Sequence, residues 1–422
     1  MPDQKIILTV LGSAGGVAKA ILSVLERSSQ DVHDPIHPFI RSCRLHLVDQ
    51  KQKADAYYQS LLPRLFPQTT LHQFDLNESG KFRDHLLRTK TTHVIDVSWA
   101  DTVQMLDCCS ELGVKYINTA LENTMVDENE RLAGYSLLER YRIFEENRAR
   151  IAERKSTAII GSGMNPGVVQ WMALDLMKKR PDELPLACYI VEHDDSIYND
   201  PALIQGETVY STWSPECFLD EAVLNYPMFM KKKLPLMIFG QVYEQDFKVT
   251  LGSKTFYGCL MPHEEVITLG KTFDMETGFI YRVSDYMTNL LHAYLEDSDP
   301  LWDWEHHVLD PAVGEVGGRD MVGVLLVYPD KEIYKYNVVA SSDVYPEYRT
   351  NATYLQVACG IYGALSTLLL DKIPEGVYFV DELLLQTESR YGEYLCYYMR
   401  DWVEGENPVS DGLLLDRMRL RP

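Results

Sequence analysis

Near the start of the chain, Gly12, Gly15 and Ala18 set out a G-x-x-G-x-x-A pattern inside the segment GSAGGVA. Glycines so placed let the backbone turn sharply and approach a pyrophosphate, whose charge then rests on the unpaired N–H groups and the positive end of a following helix. The turn offers Gly12, Ser13, Ala14, Gly15, Gly16 and Val17 as candidate cofactor contacts. Ala14 stands where the strict G-x-G-x-x-G pattern has its second glycine, which leaves a turn made for packing alone as the alternative. Asp49 ends the run RLHLVD, where a carboxylate accepts ribose hydroxyls and repels a 2′-phosphate, favouring NAD over NADP. A solvated strand-end aspartate is the alternative there. Asp96, Val97 and Ser98 end a further run, THVIDVS, near the point where the nicotinamide half of a dinucleotide would lie.

These residues need a scaffold, and the pattern around them supplies one. KIILTVL is a continuous apolar run, as expected of a strand buried on both faces of a parallel sheet. The glycine turn, the helical pattern AKAILSVLERS and the strand RLHLVD complete a βαβ unit, with SSQDVHDPIHPFIRSC inserted before the second strand. The alternation continues through a helix over 51–63, TTLHQF, a helix KFRDHLLR, THVIDVS, a helix from Thr102 to Leu112, and KYINTA. Such alternation predicts an α/β fold with an N-terminal Rossmann domain, a doubly wound parallel sheet. A long charged helix over 129–153 and the strand STAIIG lead to the break GSGMNPG, which sets the first domain at 1–168. The strand-like runs PLACYIVE, FKVTLG, KTFYGCLM and MVGVLLVY mark a second, α+β domain for substrate binding and dimerisation over 169–345. Residues 346–422 form a C-terminal helical segment around NATYLQVACGIYGALSTLLL, expected to pack back on the Rossmann domain.

Composition narrows the function. At 422 residues, 46% of them hydrophobic, the chain has material for two globular cores. A formal net charge of −22 argues against a nucleic-acid partner and suits a cationic substrate, although acidity also serves solubility. The opening residues lack the pattern of a secretory signal, and no uninterrupted apolar stretch reaches the length of a membrane span. The 8 cysteines show no C-x-x-C or C-x-x-H spacing, which points to reduced thiols and to no metal. These features together predict a cytoplasmic protein with no membrane partner.

Seven separated segments resemble homospermidine synthase, within the saccharopine dehydrogenase-like group. They are INTALEN (117–123), GMNPGVV (163–169), YIVEHDDS (189–196), YSTWSPECFLDEA (210–222), MPHEEVITL (261–269), GGRDMVGVLL (317–326) and NATYLQVACG (351–360). The resemblance implies a reaction in which NAD is recycled. An amine is oxidised to an imine, a second amine exchanges into it, and the same NADH reduces the new Schiff base. Two putrescines then give homospermidine and ammonia, with no net redox change; spermidine is a further candidate substrate. By the same resemblance, Trp213 holds the substrate ammonium against its ring. Glu192 and Glu221 anchor terminal ammonium groups. Glu122 and Asn165 stand near the reacting carbon and the nicotinamide, and Thr119 joins Asn165 among the cofactor contacts. His263 and Glu265, flanked by an ITL strand, match a proton-transfer pair in which a near-neutral histidine takes a proton from the ammonium. A homodimer is implied as well.

A reductase of the saccharopine or carboxynorspermidine type, also NAD(P)-dependent, is the competing reading. A substrate carboxylate would need a cation, and segments 189–196, 210–222 and 261–269 contain neither Arg nor Lys; Arg282 and Arg319 are the nearest candidates. A redox sensor or scaffold with an inert second domain is a third reading, opposed by the joint presence of Trp213, Glu221, His263 and Glu265.

Overall fold

The computed structural model describes residues 5–420. The chain divides into two compact units. Unit 1 runs through Leu132 and takes up Leu138–Val168 and Leu355–Met399, while unit 2 comprises Ala133–Leu137, Val169–Tyr354 and the residues from Arg400 onward.

Unit 1 is built on six strands in sequence, β1 (Ile7–Leu11), β2 (Arg44–Asp49), β3 (Thr69–Gln73), β4 (His93–Asp96), β5 (Lys115–Asn118) and β6 (Thr157–Ile160). With the later strand Gly376–Phe379 they form a seven-stranded sheet in which every pairing is parallel. The order is Gly376–Phe379, β6, β5, β4, β1, β2, β3, so chain direction across the sheet reverses between β1 and β4. Helix α1 (Gly16–Ser28) follows β1 directly. A parallel sheet buried on both faces explains why β4 and β6 are buried at every position.

The inserted segment between α1 and β2 is fastened to the C-terminal part of the unit. Asp34 accepts the hydroxyls of Tyr362 and Tyr398 at 2.8 and 2.7 Å, and Asp31 accepts that of Tyr397 at 2.6 Å. The helix expected over 129–153 starts only at Ser136, after Gly134 turns the chain at φ +87°.

Unit 2 holds a mixed sheet. Its path runs from Trp402–Asn407 through Glu332–Val339, Asp320–Val327, β7 (Ala187–Asp194), Glu276–Arg282, Lys254–Met261 and Gln245–Leu251 to Met418–Leu420. One face carries the core, with Tyr189 and Val191 of β7, Ile280, Leu325, Phe247 and Val249 among its buried members. The alternate residues of β7, Glu192 and Asp194, therefore point to the opposite face. Asn407 links the first strand of the path to Gln245–Leu251, donating to the carbonyl of Thr250 and accepting from the N–H of Gly252.

The segment 346–422, expected to form one C-terminal helical segment, is divided between the two units. Helix Ala352–Leu370 is followed by a strand that extends the unit 1 sheet, and residues 402–407 and 418–420 are strands of the unit 2 sheet. Unpaired strand edges have backbone groups to satisfy, and these short pieces satisfy them. The helix Ala352–Leu370 has the length and apolarity of a membrane span, but 83% of that stretch is buried in the protein.

Candidate functional site

The residues singled out from sequence fall into two groups, one in each unit. In unit 1 the glycine turn caps β1. Gly12 sits at φ +72°, and a Cβ there would stand 2.7 Å from the carbonyl oxygen of Val97. Only glycine takes that conformation without strain while letting β4 come so close. The N–H of Gly15 returns to the Gly12 carbonyl at 3.1 Å, and Gly15 then caps α1 with no side chain on the helix end. The first amides of α1 are thereby left for an external acceptor. The turn opens on a cleft of about 510 Å³ lined by Gly12, Ala14, Gly15, Asp49, Val97 and Ser98, with Trp99 exposed beside it. Ser13, Gly16 and Val17 are not part of the lining: Ser13 is buried with its N–H on Val48, and the other two form the first turn of α1.

Asp49 has both carboxylate oxygens engaged, one by the Ala14 N–H at 2.9 Å and the other by the Lys51 N–H at 2.8 Å. It holds the glycine turn in shape as well as lining the cleft. Asp49→Ala is therefore expected to weaken NAD binding about tenfold or more through loss of turn order. Asp49→Asn, whose amide oxygen still accepts from Ala14, should lose less; equal losses in a titration of both variants would show that the turn does not depend on this contact.

A smaller recess at the end of β4 and β5 is lined by Asp96, Ser98, Thr102, Asn118, Thr119 and Glu122. Burial raises the pKa of Asp96, against hydrogen bonds from Ser98 and Tyr116. The Glu122 N–H is fixed by the Thr102 hydroxyl at 2.9 Å. Asn165 lies in the turn from Gly163 to Gly167, closed by the Gly163 N–H on the Pro166 carbonyl at 2.8 Å. A Cβ on Gly163 would come within 3.5 Å of Thr119, so this turn packs beside the recess.

In unit 2, His263 caps the helix Glu264–Thr272. The ITL stretch taken for a strand lies inside that helix: two glutamates in the first turn complement the helix dipole, and the buried face of the helix outweighs the β-branched residues. His263 Nδ1 makes a short contact with Glu265 Oε2, and its Nε2 lies 3.8 Å from Glu221 Oε1. Glu221 comes from a π-helical turn, Asp220–Leu224. Burial opposes a charge on His263, yet the carboxylates of Glu265, Glu221 and Glu264 outweigh it and hold the pKa up to about 9. The near-neutral value expected from sequence is thus corrected upward, because sequence spacing gave no count of the surrounding carboxylates.

The His263 ring meets Phe279 edge-on at 5.0 Å, and Phe279 stacks on Tyr281 at 5.4 Å. The Trp213 indole N–H donates to the Tyr281 hydroxyl at 3.3 Å. Burial raises the Tyr281 hydroxyl far above its ordinary range, helped by the nearby carboxylates of Glu192, Asp194 and Asp320. The structure thus gathers Trp213, Glu192, Glu221, His263 and Glu265 around one aromatic row. Glu122, Asn165 and Thr119 belong to unit 1 and are placed there.

Tyr281, Asp194 and Asp320 were not identified from sequence. Asp194 accepts from the Thr212 hydroxyl at 2.5 Å and Asp320 from the Thr353 hydroxyl at 2.5 Å. The signal for Asp194 was its two-residue spacing from Glu192, which puts both on one face of a strand. Asp320 opens an apolar run and carried no such signal. Arg282 pairs with Asp285, which is itself exposed, and Arg319 is exposed.

No family model and no curated protein matches the chain. Its structure is similar to that of apo saccharopine dehydrogenase (L-Glu forming) from Saccharomyces cerevisiae, with a TM-score of 0.57 at 10% identity over 95% of this chain and 100% of that one. UDP-glucose 4-epimerase from Thermotoga maritima is a partial match, with a TM-score of 0.24 at 12% identity over 37% of this chain and 55% of that one. WbmG from Bordetella bronchiseptica, in complex with NAD, has a TM-score of 0.24 at 11% identity over 44% of this chain and 63% of that one. The whole-chain match defines the class: a Rossmann-type parallel sheet joined to a mixed sheet, the saccharopine dehydrogenase-like fold.

Proposed function

We propose that this chain is an NAD(P)-dependent enzyme that forms a secondary amine, and that its substrate is a di- or polyamine. The observation that carries the proposal is the charge of the unit 2 site. Asp194 and Asp320 are buried, and neither has a Lys or Arg ion-pair partner among the described residues. Buried carboxylates without a cation are costly, and an ammonium ligand relieves that cost. A substrate carboxylate would be repelled from the same place.

The glycine turn and the bare end of α1 suit the pyrophosphate of a dinucleotide, which when bound supplies a hydride acceptor and donor. The protein's own residues bind and orient the amine. Trp213 presents an aromatic face whose attraction for an ammonium is about 0.5–2 kcal/mol. Glu192 and Glu221 take the positive charge, and His263, steadied by Glu265, holds or accepts the amine proton at its ring nitrogen.

Within this class, aminobutyl transfer from one putrescine to another, as in homospermidine synthase, fits the amine-only lining. A net reductase that joins an amine to a carbonyl compound is the second reading, supported by the whole-chain likeness to saccharopine dehydrogenase. Incubating the enzyme with NAD and putrescine separates them by mass spectrometry and absorbance. Homospermidine and ammonia without accumulating NADH are expected; stoichiometric NADH with no coupled amine product would sink the transfer reading.

A further inference from the structure

Unit 1 holds a cluster of histidines that the amine chemistry does not use. In register, Thr9 of β1 stands opposite His46 of β2, and Val48, two residues on, stands opposite His72 of β3. Thr9, His46 and His72 therefore share one face of the sheet. Helix Ser79–Thr89 brings His85 over them, its ring centroid 4.6 Å from that of His72 and 5.7 Å from that of His46. His46 Nδ1 and His72 Nε2 share a hydrogen bond at 2.9 Å, and His85 Nε2 lies 3.2 Å from the Thr9 hydroxyl. His85 is buried and the other two rings are half-buried.

The bond between His46 and His72 needs a lone pair on one of the two nitrogens. When both rings carry a second proton, two N–H groups and two like charges face each other. The charged groups that act on the cluster are Arg44 of β2 and Arg88 of the helix, both positive. Its other neighbours, Thr9, Thr91 and Phe74, bring no charge. Burial, with these cations and the neighbouring rings behind it, lowers His46 to about 4 and His85 to about 3, and lowers His72 as well. A histidine whose folded pKa lies below its ordinary 6.5 contributes stability that is complete above that value and is lost as pH falls below it.

β3 is the edge strand of its sheet and pairs only with β2, so it can part with its helix without undoing the strands beyond. Its end reaches the cofactor cleft. Gln52 Nε2 lies 2.9 Å from the His72 carbonyl oxygen and 3.2 Å from the Ser13 hydroxyl of the glycine turn, and Asp75, Leu76 and Asn77, just after β3, line the cleft. We infer that His46, His72 and His85 form an acid-sensitive latch. Neutral, they hold β3 and helix Ser79–Thr89 on the sheet; protonated, they release this edge and with it the bound dinucleotide. Only the release of cofactor rests on the dinucleotide reading of the cleft.

Hydrogen exchange on the full-length protein, with protection corrected for the intrinsic rate at each pH, tests the latch. Each ring kept neutral by the fold makes opening about tenfold easier at about pH 5.5 than at neutrality. Between about pH 7.0 and about pH 5.5, amides of β3 and helix Ser79–Thr89 should therefore lose protection about 100-fold or more, and those of β4, β5 and β6 should keep theirs within about threefold. Unchanged protection over 69–89, or an equal loss across the whole sheet, overturns the inference, and the wild type alone decides this. The double variant His46→Gln, His72→Gln leaves His85 to titrate and should lose about tenfold or less over the same range; a pH dependence equal to that of the wild type also overturns the latch. NAD titration at both pH values should show the wild type losing about tenfold or more in affinity and the variant about threefold or less. Opening with unchanged NAD affinity removes the release of cofactor. No NAD binding at either pH removes the dinucleotide reading and leaves the exchange result to decide the opening.

Discussion

Replacing His263 with glutamine is expected to lower turnover by about 10²–10⁴-fold, the usual worth of a positioned proton-transfer group. Glutamine can still donate to Glu265, so the loss should fall on kcat with the fold retained. The pH profile gives a sharper result. With a pKa held up to about 9, His263 carries its proton at neutral pH. Steps that need a base, amine oxidation among them, should accelerate as pH rises toward about 9, and steps that need an acid should slow over the same range. The variant should lose both limbs. A wild-type profile that is flat across this window would remove His263 from proton transfer. Stability shifts in the matching direction: because the folded pKa lies above the ordinary value of 6.5, the contribution of this histidine is complete below that value and is lost as pH rises through about 9. The melting temperature of the wild type should therefore fall more steeply above neutral pH than that of the variant.

Gly12→Ala is expected to cost NAD affinity about 30- to 100-fold, with unit 2 intact. An alanine at φ +72° bears about 1–2 kcal/mol of backbone strain. Its Cβ would also press to 2.7 Å on the Val97 carbonyl oxygen and 2.9 Å on the Ser98 Cα. Backbone cannot yield there as a flexible side chain would, so the strand end that lines the cleft must shift. NAD titration followed by fluorescence, beside amine binding measured separately, checks this. Unchanged NAD affinity would mean that the cofactor does not rest on the glycine turn.

Much of unit 1 was legible in sequence because its signals are local. β1, the glycine turn and α1 are contiguous, and the run from Thr102 to Leu112 emerges as helix Thr102–Glu111, capped by Asp101. The strand Gly376–Phe379 was missed because four residues after a polar loop carry little periodicity, and only pairing with β6 makes them a strand. In unit 2, EEVITLGKT misled for the opposite reason: its β-branched residues suggest a strand, whereas its acidic first turn belongs to a helix.

By itself, the sequence determined the repeating strand–helix order, the glycine turn, the aspartate at the end of β2 and the excess of negative charge, since each is written in neighbouring residues. Only the tertiary structure decided that Tyr281, Asp194 and Asp320 share a face with Glu192, and that three acids surround His263. Strand register and the burial of charge join residues more than a hundred positions apart, and no local pattern specifies either.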